Sequence, residues 1–250
     1  MSNLIETLYL PHVAETRARG RACVDAVLPA DAQDQAVLGF LIEFCARGVR
    51  MLRPVEGWMR SSGQACVDSD LCELGVALLV ASRGEKQRHL LLIDDLVQLT
   101  ELWRRRFGQK LDLGALVRRE TPSARRHAKI REFAGYGEHP WLSLGIELEL
   151  AELIVDLGPR LMRRCEDQLG SAVYAGMRFV QARVEHAALH RQSWDQQLEA
   201  LLRDSPRHAE ATAIIGCGAV DAMVDFLGEC AAQGREVADV RPAHAVIHVS

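Results

Sequence analysis

The stretch LSLGIELELAELIVDL, residues 142–157, decides the fold class. Successive residues of an α-helix rotate by about 100° around its axis, and on that rotation the apolar residues of the stretch cover one broad surface. One narrow side carries three acids: Glu149, Glu152 and Asp156. Glu147 instead lies among apolar residues, so we expect it to be the most buried acid of an amphipathic helix. Glu152 borders the apolar surface and comes second.

The same helical period continues along the chain, while strand signals are nearly absent and aromatic residues make up only 5%. We therefore predict an all-α protein, a compact multi-helix bundle with residues 1–233 as a single helical domain and 234–250 as a C-terminal tail. Proline and glycine are taken as helix breaks, including Pro54 and the Gly158-Pro159 pair. The predicted helices cover 13–27, 33–52, 67–83, 84–107, 111–119, 122–134, 140–157, 158–168, 171–203 and 207–233.

Composition narrows the classes of function. Of the 250 residues 48% are apolar, and the net charge of −4 gives no indication of nucleic acid as a partner. No segment reaches about 18 uninterrupted apolar residues, so we expect no membrane span. The seven cysteines include no CxxC pair, and the first residues do not resemble a signal peptide. These features predict a cytoplasmic protein with reduced thiols, for which a homodimer is possible.

Several ionisable residues are placed where the core should be. Glu85 and His89 lie four residues apart near the middle of the apolar face of the segment 76–103, and His186 and His190 flank the apolar stripe of the segment 171–202. Burying an isolated carboxylate costs several kcal/mol, so such groups need partners. One answer is a structural network of ion pairs and hydrogen bonds, and the other is a metal ion.

The metal hypothesis names a ligand set on three helices, because carboxylate and imidazole groups on facing helices are a usual way to hold iron in a bundle. Arg183, close to the apolar stripe of its helix, is a candidate for pairing with a substrate carboxylate. Five of the remaining histidines are interpreted as surface or loop residues: His127, His139, His208, His244 and His248. The predicted metal ligands are Glu85, His89, Glu147, His186 and His190, with Glu152 as an alternative.

The order of these residues resembles the haem-oxygenase-like superfamily, and within it the non-haem diiron oxidases and oxygenases. The resemblance rests on Glu85 with His89, on an inward Glu after the sequence HPWLSLG at 139–145, and on His186 with a partner four residues later. It implies a seven-helix α fold with a cofactor between central helices, and O2 activation at iron against amino-acid, fatty-acid or amine substrates. The closing helix also looks like the family's last helix, with Ile214, Ile215, Gly216, Val220, Met223, Val224 and Phe226.

The sequence departs from the pattern of the diiron members at one motif, and this leaves the identity of the cofactor open. The diiron members usually carry His-x3-Asp-x2-His on the last ligand helix, whereas here His190 stands at the Asp position and Ser193 at the second His position. One or two non-haem iron ions, or a haem with one of these histidines as its axial ligand, therefore stay open. The leading prediction is an iron-dependent, O2-activating oxidase or oxygenase of a small organic substrate, amino-acid- or amine-like, in a biosynthetic pathway. The alternatives are a haem-dependent oxygenase of the same fold and a non-catalytic helical binding protein.

Overall fold

The computed structural model describes residues 4–239, and every regular element in that range is a helix. A π-helical turn at Ile5–Tyr9 leads into the first α-helix, and short 3₁₀ segments occupy Pro140–Leu142 and Ser171–Gly176. This confirms the all-α, multi-helix bundle. The α-helices are α1 (Leu10–Val27), α2 (Asp34–Leu52), α3 (Val55–Asp68), α4 (Cys72–Glu85), α5 (His89–Phe107), α6 (Leu113–Arg118), α7 (Pro122–Tyr136), α8 (Ser143–Leu169), α9 (Arg178–Asp204) and α10 (His208–Asp239).

The last helix, α10, lies at the centre of the bundle and packs against α1, α2, α7 and α8. Glycines allow the backbone of α10 to approach those of α2 and α8 closely. A Cβ on Gly39 of α2 would lie 2.6 Å from the carbonyl oxygen of Gly234, and one on Gly216 would lie 2.6 Å from that of Gly145 on α8. Within the described range the segment His208–Val237 is long and apolar enough to cross a membrane by length and composition alone, with a mean hydropathy of 1.5. In the fold it serves as a core helix.

The helix boundaries show four main differences from the sequence expectation. Helix α3 follows Pro54 directly, where no helix was predicted before residue 67. The predicted helix over 84–107 is interrupted, because Gln87 takes a left-handed backbone conformation with φ of 61° between α4 and α5. Helix α8 continues through Pro159 instead of ending there. Helix α10 extends to Asp239, past the predicted end of the helical domain at residue 233; the rest of the predicted tail, residues 240–250, lies outside the described residues.

The continuity of α8 has a packing explanation. A proline inside a helix removes one backbone hydrogen bond and costs about 3 kcal/mol. The residue before it, Gly158, is packed directly against Val184 of α9, and both flanking turns bury leucines in the core, Leu157 and Leu161. Burial of leucine side chains contributes about 1.5–3 kcal/mol each, so packing on both sides of Pro159 outweighs the local loss.

Candidate functional site

A narrow cavity lies between α2, α8, α9 and α10, and its wall is mainly apolar. The space open to the centres of water molecules is about 50 Å³, which corresponds to roughly three to five water positions. The polar groups of the wall come from three helices: Glu85 from α4, His127 and Arg131 from α7, and Arg183 from α9. The cavity is therefore amphipathic. Its apolar wall includes Phe44, Met51, Leu153, Ile154, Val180 and Met223.

The polar wall belongs to a network that we call the arginine cluster, formed by Arg88, Arg131, Arg183, Glu85 and Glu147. Glu85 Oε1 accepts hydrogen bonds from Arg88 Nη1 at 2.8 Å and from Arg183 Nη1. Arg131 donates to Glu147 on α8. The five side chains are largely buried, at 5–16% exposure. The acids that the sequence places inward are thus satisfied by arginines on α7, on α9 and in the α4–α5 turn.

The arginine cluster carries an excess of positive charge. Three guanidinium groups face two carboxylates, which leaves one net positive charge. Burial alone would raise the pKa of Glu85, but the charges of Arg183, Arg88 and Arg131 outweigh it and lower that pKa, so the carboxylate stays ionised. The region beside the cavity is therefore electropositive, a property that favours anions over cations.

His127 is a buried polar side chain of the cavity wall with an unused hydrogen-bond donor. It is 1% exposed, and its Nε2 accepts a hydrogen bond from Arg131 Nε at 3.2 Å. Because Nε2 is an acceptor, the proton of the neutral ring is on Nδ1. Burial, together with the charges of Arg131 and Arg183, lowers the pKa of His127 to about 3. Nδ1 has no hydrogen-bond partner among residues 4–239, so a buried N–H group is left over beside the cavity.

Capping hydrogen bonds at the first turns of α9 and α7 hold the two helices that carry most of the polar side chains of the cavity wall. The carboxylate of Asp95 on α5 accepts hydrogen bonds from the backbone N–H groups of Arg178 at 3.1 Å and Phe179 at 2.8 Å, which caps α9 one turn before Arg183. Burial raises the pKa of Asp95 despite these two bonds. On α7, Thr121 accepts from the backbone N–H of Ala124 at 3.0 Å, one turn before His127. These hydrogen bonds fix the first turns of α9 and α7, from which Arg183 and His127 reach the cavity.

The structure brings only part of the predicted metal-ligand set together. His186 and His190 are neighbours on α9, with ring centroids 4.3 Å apart, and His186 Nε2 lies 3.1 Å from the position of a Cβ on Gly84, beside Glu85. Burial, with Arg88 and Arg183, lowers the pKa of His186 to about 4. His89 begins α5 beyond the turn, where burial and Arg53 lower its pKa.

As placed, these residues do not fit an iron ion. The carboxylates of Glu85 and Glu147 face guanidinium groups, and a cation among three arginines would be repelled. The described part of the chain contains no group of three or more His, Cys, Asp or Glu side chains that could hold a metal. Iron and haem stay predictions, and we derive no step through either. Arg183, predicted to bind substrate, does lie in the cavity wall.

The expected order of burial along α8 is wrong. Glu149, not Glu147, is the most buried acid, with no exposed surface. Arg17 donates to it at 2.8 and 2.9 Å and the Tyr9 hydroxyl at 3.0 Å, so the N-terminal segment covers the side of α8 that was expected to face solvent. Glu152, the alternative ligand, pairs with Arg191 and, at 3.7 Å, with Arg17, and does not line the cavity.

Sequence reasoning missed His127 and Arg131, because α7 has few large apolar residues to mark its buried face. His127 was expected at the surface and is buried; His139 is exposed and His208 half-buried, while His244 and His248 lie outside the described residues. The sequence contains one weak indication that His127 and Arg131 are buried. His127 and Arg131 are flanked at helical spacing by two small residues on the same face, Ala124 and Ala134, and both alanines are buried.

No family model matches the chain, and neither a curated protein nor a solved structure is significantly similar to it. The resemblance to the haem-oxygenase-like superfamily, which depends on the order of Glu85, Glu147 and His186, therefore stays a prediction. The chemistry of the cavity wall, with its apolar lining and its electropositive polar groups, is the feature of the molecule that bears most directly on function.

Proposed function

We propose that the protein binds a small, largely apolar organic molecule in the cavity between α2, α8, α9 and α10. The observation that carries the proposal is an apolar cavity in the middle of the bundle with ionised and hydrogen-bonding groups in its wall. Concave, mainly apolar sites with a few convergent polar groups are typical of small-molecule binding. The proposal corresponds to the helical binding protein among the sequence alternatives, with buried acids that form a structural network.

The apolar wall supplies the affinity in this proposal. Each methylene group moved from water into an apolar environment contributes about 0.8 kcal/mol. The side chains of the wall come from several helices and belong largely to the core. The space of about 50 Å³ is smaller than the pockets of about 300–1,000 Å³ that hold drug-sized ligands. The wall side chains therefore have to move apart on binding, and this rearrangement uses part of the transfer free energy.

Calorimetric titration with 1-hexanol, a neutral apolar probe, tests the proposal. We expect saturable binding to the wild-type protein and at least a tenfold loss of affinity in Met223→Trp, because the larger side chain fills the cavity from α10. Met162→Trp is the matched control, since Met162 is also a half-buried helical methionine but does not line the cavity. A folded wild-type protein that binds neither 1-hexanol nor its charged six-carbon analogues would refute the proposal.

The iron-dependent oxidase is a second candidate, favoured by one observation: Glu85 and His186 come from different helices and lie at the same place beside the cavity. For iron to bind there, Arg88 and Arg183 would have to release Glu85. Anaerobic loading with Fe(II) followed by metal quantitation tests this candidate. Iron bound one-to-one by the wild type and lost in Glu85→Gln would support it, and a Soret band after haem addition would support the haem alternative.

A further inference from the structure

The hydrogen-bonding groups around the cavity are unevenly divided between donors and acceptors. Arg183 uses one terminal nitrogen, on Glu85, and Arg131 uses Nε and one terminal nitrogen, on His127 and Glu147. A guanidinium has five N–H groups, so each arginine keeps donors for which residues 4–239 provide no hydrogen-bond acceptor. Nδ1–H of His127 is a further donor, and it is fully buried.

An unpaired buried donor costs about 1–3 kcal/mol, so the Nδ1–H group is expected to meet an acceptor when the protein carries out its function. His127 lines the cavity and no residue of 4–239 pairs with its Nδ1, so we expect the acceptor to come from a ligand in the cavity. The carboxylate of Glu85 in the same wall is already paired with Arg88 and Arg183, and most of the remaining wall is apolar. A ligand with an acceptor at one end and an apolar body satisfies both parts of the wall.

The charge of the wall narrows the ligand further. The arginine cluster has one net positive charge, and hydrogen bonds from guanidinium to a carboxylate are among the stronger ones in proteins. We infer that the ligand is a monocarboxylate with a short apolar chain, whose carboxylate accepts from His127 Nδ1–H and pairs with Arg183 and Arg131. This inference rests on the proposed function and specifies the chemical class of its ligand.

An amine of the same size is the main competitor, since Glu85 and Glu147 each have a second carboxylate oxygen. The geometry disfavours it. Both acids are already paired with arginines, and an ammonium group would add a second net positive charge to a buried cluster that already has one. A neutral alcohol would satisfy Nδ1–H of His127 but would leave the charge of the arginine cluster without a counterion.

Titration with three six-carbon probes, hexanoate, hexylamine and 1-hexanol, tests the inference by calorimetry and by chemical-shift changes in NMR spectra. We expect hexanoate to bind at least tenfold more tightly than 1-hexanol, and hexylamine more weakly than either. Arg183→Met should lower hexanoate affinity about tenfold while 1-hexanol affinity changes less than about threefold. His127→Phe should lower hexanoate affinity more than 1-hexanol affinity, because it removes a hydrogen bond to a charged group from the first and a weaker neutral one from the second. Arg178→Met is the matched control, because Arg178 is an exposed arginine on the same helix.

The outcomes separate the inference from the proposed function. Failure of all three probes to bind refutes the proposed function, whereas equal binding of hexanoate and 1-hexanol refutes only the carboxylate class. Tightest binding of hexylamine overturns the inference and assigns the head-group site to Glu85. An equal loss of hexanoate and 1-hexanol binding in both variants would also overturn it, because the two side chains would then shape the cavity without binding the head group.

Discussion

Replacement of His127 by phenylalanine should change how the stability of the fold depends on pH. The folded protein holds this imidazole neutral, with a pKa of about 3, against 6.5 for an unperturbed histidine. Between those two values the unfolded chain binds more protons than the folded one. The free energy of unfolding therefore falls as the pH is lowered through this window. Between pH 8 and pH 5 the His127 contribution amounts to about 2 kcal/mol, from 1.36 kcal/mol per pKa unit.

Urea unfolding at pH 8, 6.5 and 5 measures this contribution. The wild type should lose about 2 kcal/mol more than His127→Phe between pH 8 and pH 5, because phenylalanine has no proton to bind in either state. His139→Phe serves as the control, since it removes an exposed imidazole, and it should retain the wild-type dependence. Parallel pH profiles for the wild type and His127→Phe would show that the buried ring is not held neutral.

Three further predictions concern the arginine cluster and its supports. Glu147→Gln leaves the charge of Arg131 without its carboxylate and should cost about 3–5 kcal/mol in thermal or urea unfolding, whereas Glu152→Gln should cost less than half of that; equal losses would contradict the assigned burial. Asp95→Ala removes the cap of α9 and should cost about 1–2 kcal/mol, measured in the same way. Anaerobic Fe(II) loading should give well under one iron per chain, and stoichiometric iron that Glu85→Gln abolishes would reverse that expectation.

The spacing of apolar residues made most of the fold predictable, because it follows the helical period along much of the chain. The stretch 142–157 is an example, since α8 forms over it and buries its leucines. Burial itself is more extensive, since residues 37–49 of α2 and 143–151 of α8 are buried without a break. The boundaries were less predictable where tertiary packing overrides local preference. Pro159 normally ends a helix, but contacts of Leu157 and Leu161 with the core hold α8 together through it.

The candidate site was only partly predictable, because sequence periodicity shows which residues face inward but not what they meet there. Glu85 was correctly expected to be buried, and Arg183, predicted to pair with a substrate carboxylate, lies in the wall of a cavity while its binding role stays a prediction. The partners of the acids come from distant segments: Arg131 is 16 residues from Glu147, and Arg17 is 132 residues from Glu149. No pattern within one helix reveals such pairs. The sequence therefore cannot distinguish buried acids that bind a metal ion from buried acids that pair with arginines.

A crystal structure determined in the presence of saturating hexanoate is the most direct measurement of whether the cavity binds a ligand. We expect electron density for the chain among Phe44, Leu153 and Val180, with the carboxylate within hydrogen-bond distance of His127 Nδ1 and of Arg183. Hexanoate found only on the protein surface, with the cavity closed around its own side chains, would contradict the proposed binding function.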